Sequence, residues 1–344
     1  MRRLLTILMP VEWLLIFFGL LTWGLYGYFG LEMPGQPGKG ARGGPLLFYL
    51  KQFLTCLDLY AVVLVVFVCM RAVNFARHSE QRILSAPWRV FWAQISNRFL
   101  INHLFQDVRF FHAILLMFVE FALLKNLIPY VNGALFDDFF IAADKVFCGG
   151  VICSERLTNL IGTGLSSHIG KHYSWYYPYM SLTAFTFIAV APRRIAHEYL
   201  CAFVALFLVG ILWIYAVPTL GPVYAQPDLF EYMRDSEIGN LQQELWSMRE
   251  FLLRNPGSKE AIFMISGFPS LHVAVVVLGS IYLRHVHWIL AAASWLFLLL
   301  ITHSTIYLGW HYLLDDIGSI ILVAVCIWLV KRCTWRWWGS ADPL

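Results

Sequence analysis

Residues 288–330 read WILAAASWLFLLLITHSTIYLGWHYLLDDIGSIILVAVCIWLV. Two apolar runs flank a short polar stretch that carries Ser304, Thr305, His311, Asp315 and Asp316. A helix needs about 20 apolar residues to cross the hydrocarbon core of a bilayer, and each run approaches that length. Backbone in lipid must satisfy its own hydrogen bonds, so such runs are read as membrane-crossing helices.

The rest of the chain agrees. Of 344 residues, 59% are hydrophobic and 13% charged, where a soluble domain carries about 25% charge. Apolar runs fall near 4–29, 54–70, 111–130, 174–191, 199–217, 268–284, 287–303 and 314–331. The expectation is an all-α polytopic membrane protein with about eight transmembrane helices. The first run is longer than the apolar core of a signal peptide and lacks a convincing cleavage site, so it reads as a retained span. The net charge of +4 gives no argument for nucleic acid. No internal repeat is evident, which disfavours an inverted-repeat transporter.

Basic residues near the span ends set the orientation. Arg2, Arg3, Arg71, Arg77, Arg82, Arg89, Arg98, Arg193, Arg194, Arg284, Lys331, Arg332 and Arg336 all fall on one side of an eight-span chain. That side is expected to be cytoplasmic, with both termini. The loops 30–53, 131–173, 218–267 and 304–313 are then periplasmic or lumenal. Cys148 and Cys153 lie in one of these loops, where a disulfide is plausible in an oxidising compartment. The segment 229–255 is amphipathic and reads as a surface helix or as a cap over a site.

Two segments at the outer boundary carry the chemistry. One is SGFPSLHVA, residues 266–274; the other is STIYLGWHYLLDD, residues 304–316. His311 and Asp315 are four residues apart, so on a helix they are neighbours. A carboxylate beside an imidazole fixes its tautomer and stabilises its cation. Such a histidine can attack phosphorus, and His272 can serve as general acid and then general base. Ser270 and nearby backbone amides at a helix start can hold phosphate oxygens.

GFPSLHVA with STIYLGWHYLLDD resembles the type 2 phosphatidic acid phosphatase superfamily of lipid phosphatases and phosphotransferases. The family's PSGH motif is matched by Pro269, Ser270, Leu271 and His272. Its SRxxxxxHxxxD motif is matched by Ser304, His311 and Asp315. The resemblance implies that His311 is the nucleophile, Asp315 its partner and His272 the acid/base, with no cofactor and no metal. Leu271 replaces the motif glycine, Thr305 replaces the motif arginine, and no clean KxxxxxxRP is found. The pattern is similar to the branch that contains inositol phosphorylceramide synthase, whose members move a phosphorylated head group between lipids. Residues 218–224 and, less specifically, 137–149 are also similar to that branch.

With two or three phosphate-binding cations missing, the candidates to hold substrate are Ser270, Ser304, Tyr307, Lys125, Lys171 and Asp316. Lys125 also reads as an interfacial lysine that keeps its head in water. His168 and His172 flank Lys171 at helical spacing, but no third metal ligand is evident. The expected layout is two N-terminal helices with a basic cytoplasmic connection in 1–110. A six-helix phosphatase-like core follows in 111–334, then a cytoplasmic tail in 335–344. The expected function is a membrane phosphotransferase acting at the periplasmic or lumenal face through a phosphohistidine, on a phospholipid or polyprenyl-phosphate substrate. The alternatives are a lipid phosphate phosphatase and, in another class, a proton-coupled transporter.

Overall fold

A computed structural model describes residues 9–31, 101–255 and 265–338. The second expected span, the arginine-rich stretch after it, residues 1–8 and residues 339–344 lie outside the described residues, while 335–338, expected as the start of the tail, continue the last helix. Those described are helical, with no strand among them. The longer helices are α1 (Pro10–Tyr28), α2 (Ile101–Asn126), α3 (Asp137–Phe147), α4 (Cys153–Ile161), α5 (Ser166–Ser174), α6 (Tyr176–Val190), α7 (Arg193–Ala216), α8 (Glu237–Arg254), α9 (Leu271–Leu283), α10 (Trp288–Tyr307) and α11 (Leu313–Trp338).

Among the described residues four helices, α1, α7, α10 and α11, are long and apolar enough to cross a membrane. Two expected spans are shorter. α9 has 13 residues, which rise about 20 Å, less than the ~30 Å of hydrocarbon. α6 has 15 residues. α2 is long but carries Asp107, Arg109, Glu120 and Lys125, and three of these are matched inside the bundle. Arg109 pairs with Glu12 of α1, and Arg193 of α7 pairs with Asp107. Thr22 Oγ1 donates to Glu120 Oε2 at 2.7 Å.

α7 is the hub. Residues on all its faces are buried, from Ala196 and Leu200 to Ile211 and Ile214, the pattern of a helix surrounded by others. It packs against α1, α2, α6, α9 and α11. At Gly210 a Cβ would stand 3.2 Å from Leu271 of α9 and 3.4 Å from Leu322 of α11, so the small residue lets the three helices approach. Polar contacts tie α6, α9 and α10 together within the apolar region. Ser294 Oγ lies 2.6 Å from Tyr179 Oη and 2.7 Å from Ser280 Oγ. The outward faces stay apolar, with Phe17, Leu20 and Trp23 on α1, Leu296 and Leu299 on α10, and Ile320 and Trp328 on α11 exposed. Lipid, not water, is the solvent that such faces suit.

A second apolar cluster sits at one end of the bundle. Ile152, Tyr173, Phe230, Met233, Ile238, Leu308 and Trp310 belong to it. Ile238 of α8 packs so closely on Gly170 of α5 that a Cβ there would stand 2.5 Å from its side chain. The amphipathic segment that contains α8 is therefore docked on its neighbours. Cys148 and Cys153 are joined in a disulfide between α3 and α4.

Candidate active site

The site is built where α9 begins and α11 begins. After α10 the chain reverses: the amides of Trp310 and His311 both donate to Thr305 O, at 3.0 and 3.3 Å. Gly309 makes this possible with φ +71°, and a Cβ there would stand 2.5 Å from the Phe230 ring. His311 thus lies in the turn ahead of α11 and not on the helix itself. Its Nδ1 lies 3.2 Å from Asp315 Oδ2. The same oxygen accepts from Tyr312 N at 2.9 Å. Asp315 therefore meets His311 by folding back over the first turn of α11, a capping geometry in place of the expected shared helix face.

His272 sits in the first turn of α9, where Ser270 is the N-cap and its Oγ accepts from Val273 N at 3.4 Å. Ser270 N donates to Asp315 O at 3.2 Å. Ser319 Oγ, 2.6 Å from Ser270 O and 2.7 Å from Asp315 O, stitches the two segments together. The result brings His272 Nδ1 within 3.4 Å of His311 Nε2. His272 Nε2 lies 2.9 Å from Tyr173 Oη, and the Tyr173 ring stacks on Trp310 with centroids 5.8 Å apart. Tyr173, His272, His311 and Asp315 thus form one continuous polar chain in which His311 is 4% exposed and Asp315 0%. Burial pushes the His311 imidazole down to about 3. The nearby Gly267 backbone opposes that shift, and the nearby charge of Lys125 adds to it.

The other sequence candidates separate into two groups. Lys125, in the last turn of α2, is near enough for its charge to act on His311, and its Nζ sits 5.7 Å from the Phe121 ring centroid. Asp316 is buried, and its carboxylate oxygens have no hydrogen-bond partner among the described residues, though it comes near the Ser270 hydroxyl. Ser304 and Tyr307 are committed elsewhere. Ser304 Oγ donates to Leu300 O at 2.7 Å, and Tyr307 Oη to Gly162 O at 2.8 Å. Ser270 Oγ serves as the cap already described. Lys171, His168 and His172 are exposed on α5, while Tyr173 on the opposite face of that helix is the residue that reaches His272. Among the described residues no cluster of His, Cys, Asp or Glu is arranged to hold a metal ion.

Two carboxylates that sequence reasoning did not single out brace the site. Asp137 accepts from Leu220 N and Gly221 N, both at 3.0 Å, and from Tyr312 Oη at 3.0 Å. Asp144 accepts from Leu313 N at 3.0 Å and from Cys153 N at 3.2 Å. They are seven residues apart, two turns along one face of α3, and that spacing is the signal the sequence offered. Burial raises both above the ordinary carboxylate range, and these hydrogen bonds pull in the other direction. Asp137 thereby holds residues 218–221 against the residue that follows His311. From that loop, Thr219 O accepts from Gly267 N at 2.8 Å and Thr219 Oγ1 from Phe268 N at 2.7 Å. A small cavity of about 30 Å³ lies beside Thr219 and Ser266, with Asn132, Ile214 and Arg249 in its wall.

A buried imidazole held by a carboxylate, with a second imidazole beside it, can attack an electrophilic centre and pass a proton to or from the group that leaves or enters. Residues 162–329, just under half of the chain, match a family model described as PAP2 superfamily. That match supports an enzyme of phosphatase or phosphotransferase type acting on lipids. No curated protein and no solved structure matches the chain.

Proposed function

We propose that this chain is a membrane lipid phosphotransferase that works through a phosphohistidine at His311. The observation that carries the proposal is the buried arrangement of His272, His311 and Asp315, with nitrogens 3.4 Å apart and the carboxylate 3.2 Å away. His311 Nε2 attacks phosphorus, forming an N–P bond as the P–O bond to the first lipid breaks. His272 Nδ1 gives its proton to the departing oxygen. The hydroxyl of a second lipid or a glycan then attacks the phosphohistidine and returns its proton to His272, and the N–P bond breaks. Asp315 holds the His311 Nδ1 proton throughout and offsets the positive charge of the phosphorylated ring. The low dielectric of the buried site strengthens that interaction relative to water.

The same reading includes eight spans, with a six-helix unit in 111–334 and two helices before it. It places the site at the periplasmic or lumenal face, from the distribution of basic residues. The substrate is a phospholipid or a polyprenyl phosphate. Transfer of a phosphorylated head group, as in the inositol phosphorylceramide synthase branch, is favoured by PSLH and by the similarity of residues 218–224.

His311→Ala in purified, lipid-reconstituted protein tests this. The expected result is loss of turnover by a factor of at least ~10³ with unchanged membrane insertion. Normal turnover of the variant ends the proposal. With donor lipid labelled in its head group, a new labelled phospholipid or glycan marks transfer. Release of free phosphate instead assigns the chain as a lipid phosphate phosphatase using the same residues.

A further inference from the structure

The two histidines have different partners. His311 faces a carboxylate, Asp315 Oδ2, at 3.2 Å. His272 faces a phenol, Tyr173 Oη, at 2.9 Å on the nitrogen turned away from His311. We propose that Tyr173 is the positioning residue of the second histidine: it holds the His272 Nε2–H and so makes Nδ1 the atom that gives and takes the proton.

The inference rests on the function proposed above. The atoms leave few choices. In the transfer, the proton moves on and off the His272 nitrogen that faces the reacting centre, and that is Nδ1, 3.4 Å from His311 Nε2. As general acid, His272 carries protons on both nitrogens; as general base, it keeps Nε2–H and presents an empty Nδ1. Both states need an acceptor at Nε2. Tyr173 Oη is there, fixed by the ring's stacking on Trp310, the residue before His311. Tyr176 closes the other side of the imidazole, edge-on at 4.5 Å.

The choice of a phenol in place of a carboxylate has a chemical consequence. Burial pushes the Tyr173 phenol well above its ordinary value, so it stays a neutral hydroxyl. A neutral acceptor orients an imidazolium without the charge stabilisation that a carboxylate supplies. His272 therefore keeps the tendency to release its proton that a general acid needs. His311, which must bear positive charge as a phosphohistidine, has the carboxylate. Two imidazoles in contact are driven to different roles by the groups behind them.

The test compares Tyr173→Phe, which keeps the ring on Trp310, with wild type and with His311→Ala, in the full chain reconstituted in lipid. The first readout is the ¹⁵N spectrum of histidine-labelled protein. Wild type is expected to show His272 protonated at Nε2, and Tyr173→Phe a mixture of tautomers; identical spectra overturn the inference. The second readout compares two probes. Dioctanoyl phosphatidic acid leaves as an alkoxide and needs a proton; octyl 4-nitrophenyl phosphate leaves as nitrophenolate and does not. Turnover of the first by Tyr173→Phe is expected to fall ~10- to 100-fold, part of the ~10²–10⁴ that a general acid contributes. The pre-steady-state burst of nitrophenolate from the second, which reports P–O cleavage before the step in which His272 acts as base, is expected to change less than ~3-fold. Equal losses on both probes mean a packing role only and overturn the inference. Activity in His311→Ala refutes the proposed function instead, whatever the spectrum of His272 shows.

Discussion

Asp137 gathers three donors from two segments, and its replacement should be felt at His311 without touching it. Its Oδ1 receives Leu220 N, Gly221 N and Tyr312 Oη, each at 3.0 Å. The side chain is 7% exposed. Asp137→Ala would leave two amides and a hydroxyl without an acceptor, at about 1–3 kcal/mol each. The sum, roughly 3–9 kcal/mol, rivals the whole stability of an ordinary domain, about 5–15 kcal/mol, and this variant is expected not to accumulate. Asp137→Asn is more informative, because an amide oxygen can take the place of Oδ1. The charge assistance is lost, about 1 kcal/mol for each of the three bonds, and the new NH2 stands where Oδ2 accepts from Leu220 N at 3.1 Å, so the Leu220 amide keeps only its bond to the amide oxygen. Tyr312→Phe removes one donor from a carboxylate that keeps two others, so its effect should lie near the low end of ~1.5–3 kcal/mol. The double variant should be less destabilised than the sum of the singles by about 1 kcal/mol, since the second change then deletes a bond to a neutral group. Chemical denaturation of the purified protein in detergent reads these values, with turnover measured on the same samples. Turnover should fall in both single variants, because Tyr312 directly follows His311. Additivity within about 0.3–0.5 kcal/mol would refute the claim that Asp137 and Tyr312 act as one brace.

Gly267→Ala would place a Cβ 2.4 Å from Thr219 Oγ1 and 3.3 Å from Asp315 Oδ2. It is expected to destabilise by about 1–3 kcal/mol, and by less in a Thr219→Ala background; an equal penalty in both, by denaturant titration, would show that the hydroxyl is not the obstacle. Replacing Cys148 and Cys153 by Ser opens a link between residues five apart in sequence, a loss of about 2 kcal/mol in chain-entropy terms. Reductant should lower the melting temperature of wild type towards that of the variant and leave the variant unchanged. Between about pH 6.5 and 3 the unfolded chain binds a proton at His311 that the folded chain, with this group pushed down to about 3, does not. This residue's contribution to stability is therefore lost as the pH falls through that window. Stability should drop less steeply in His311→Asn than in wild type over the same range, and parallel curves would contradict the assignment. The carboxyls of Asp137 and Asp144, which burial raises, act with the opposite sign and are common to both proteins.

What could be read in the sequence, and what could not, follows from how far each property reaches along the chain. The apolar runs of α7, α10 and α11 are local facts about solvent, and they appear in the structure as long apolar helices. The proximity of His311 and Asp315 is local too, and the spacing of four residues anticipated the contact even though the turn is built by capping and not by a continuous helix. Charges defeated simple counting in α2, because Asp107, Arg109 and Glu120 are matched by residues of α7 and α1, nearly a hundred positions away in sequence for each. The same distance hid Tyr173. It is one of 16 tyrosines, and nothing in its neighbourhood points at a histidine 99 residues further on. The sequence drew attention to Lys171, His168 and His172 on the same helix by their charge. Helical geometry sends that side of α5 outward, and the aromatic side, through Ile169 and Tyr173, inward. Charge marks the residues that water or lipid head groups can reach; the group that orients a buried imidazole needs only one oxygen, correctly placed, and an apolar ring to hold it there. That is why the residues supporting the two histidines, Tyr173, Asp137 and Asp144, emerged only when the chain was folded.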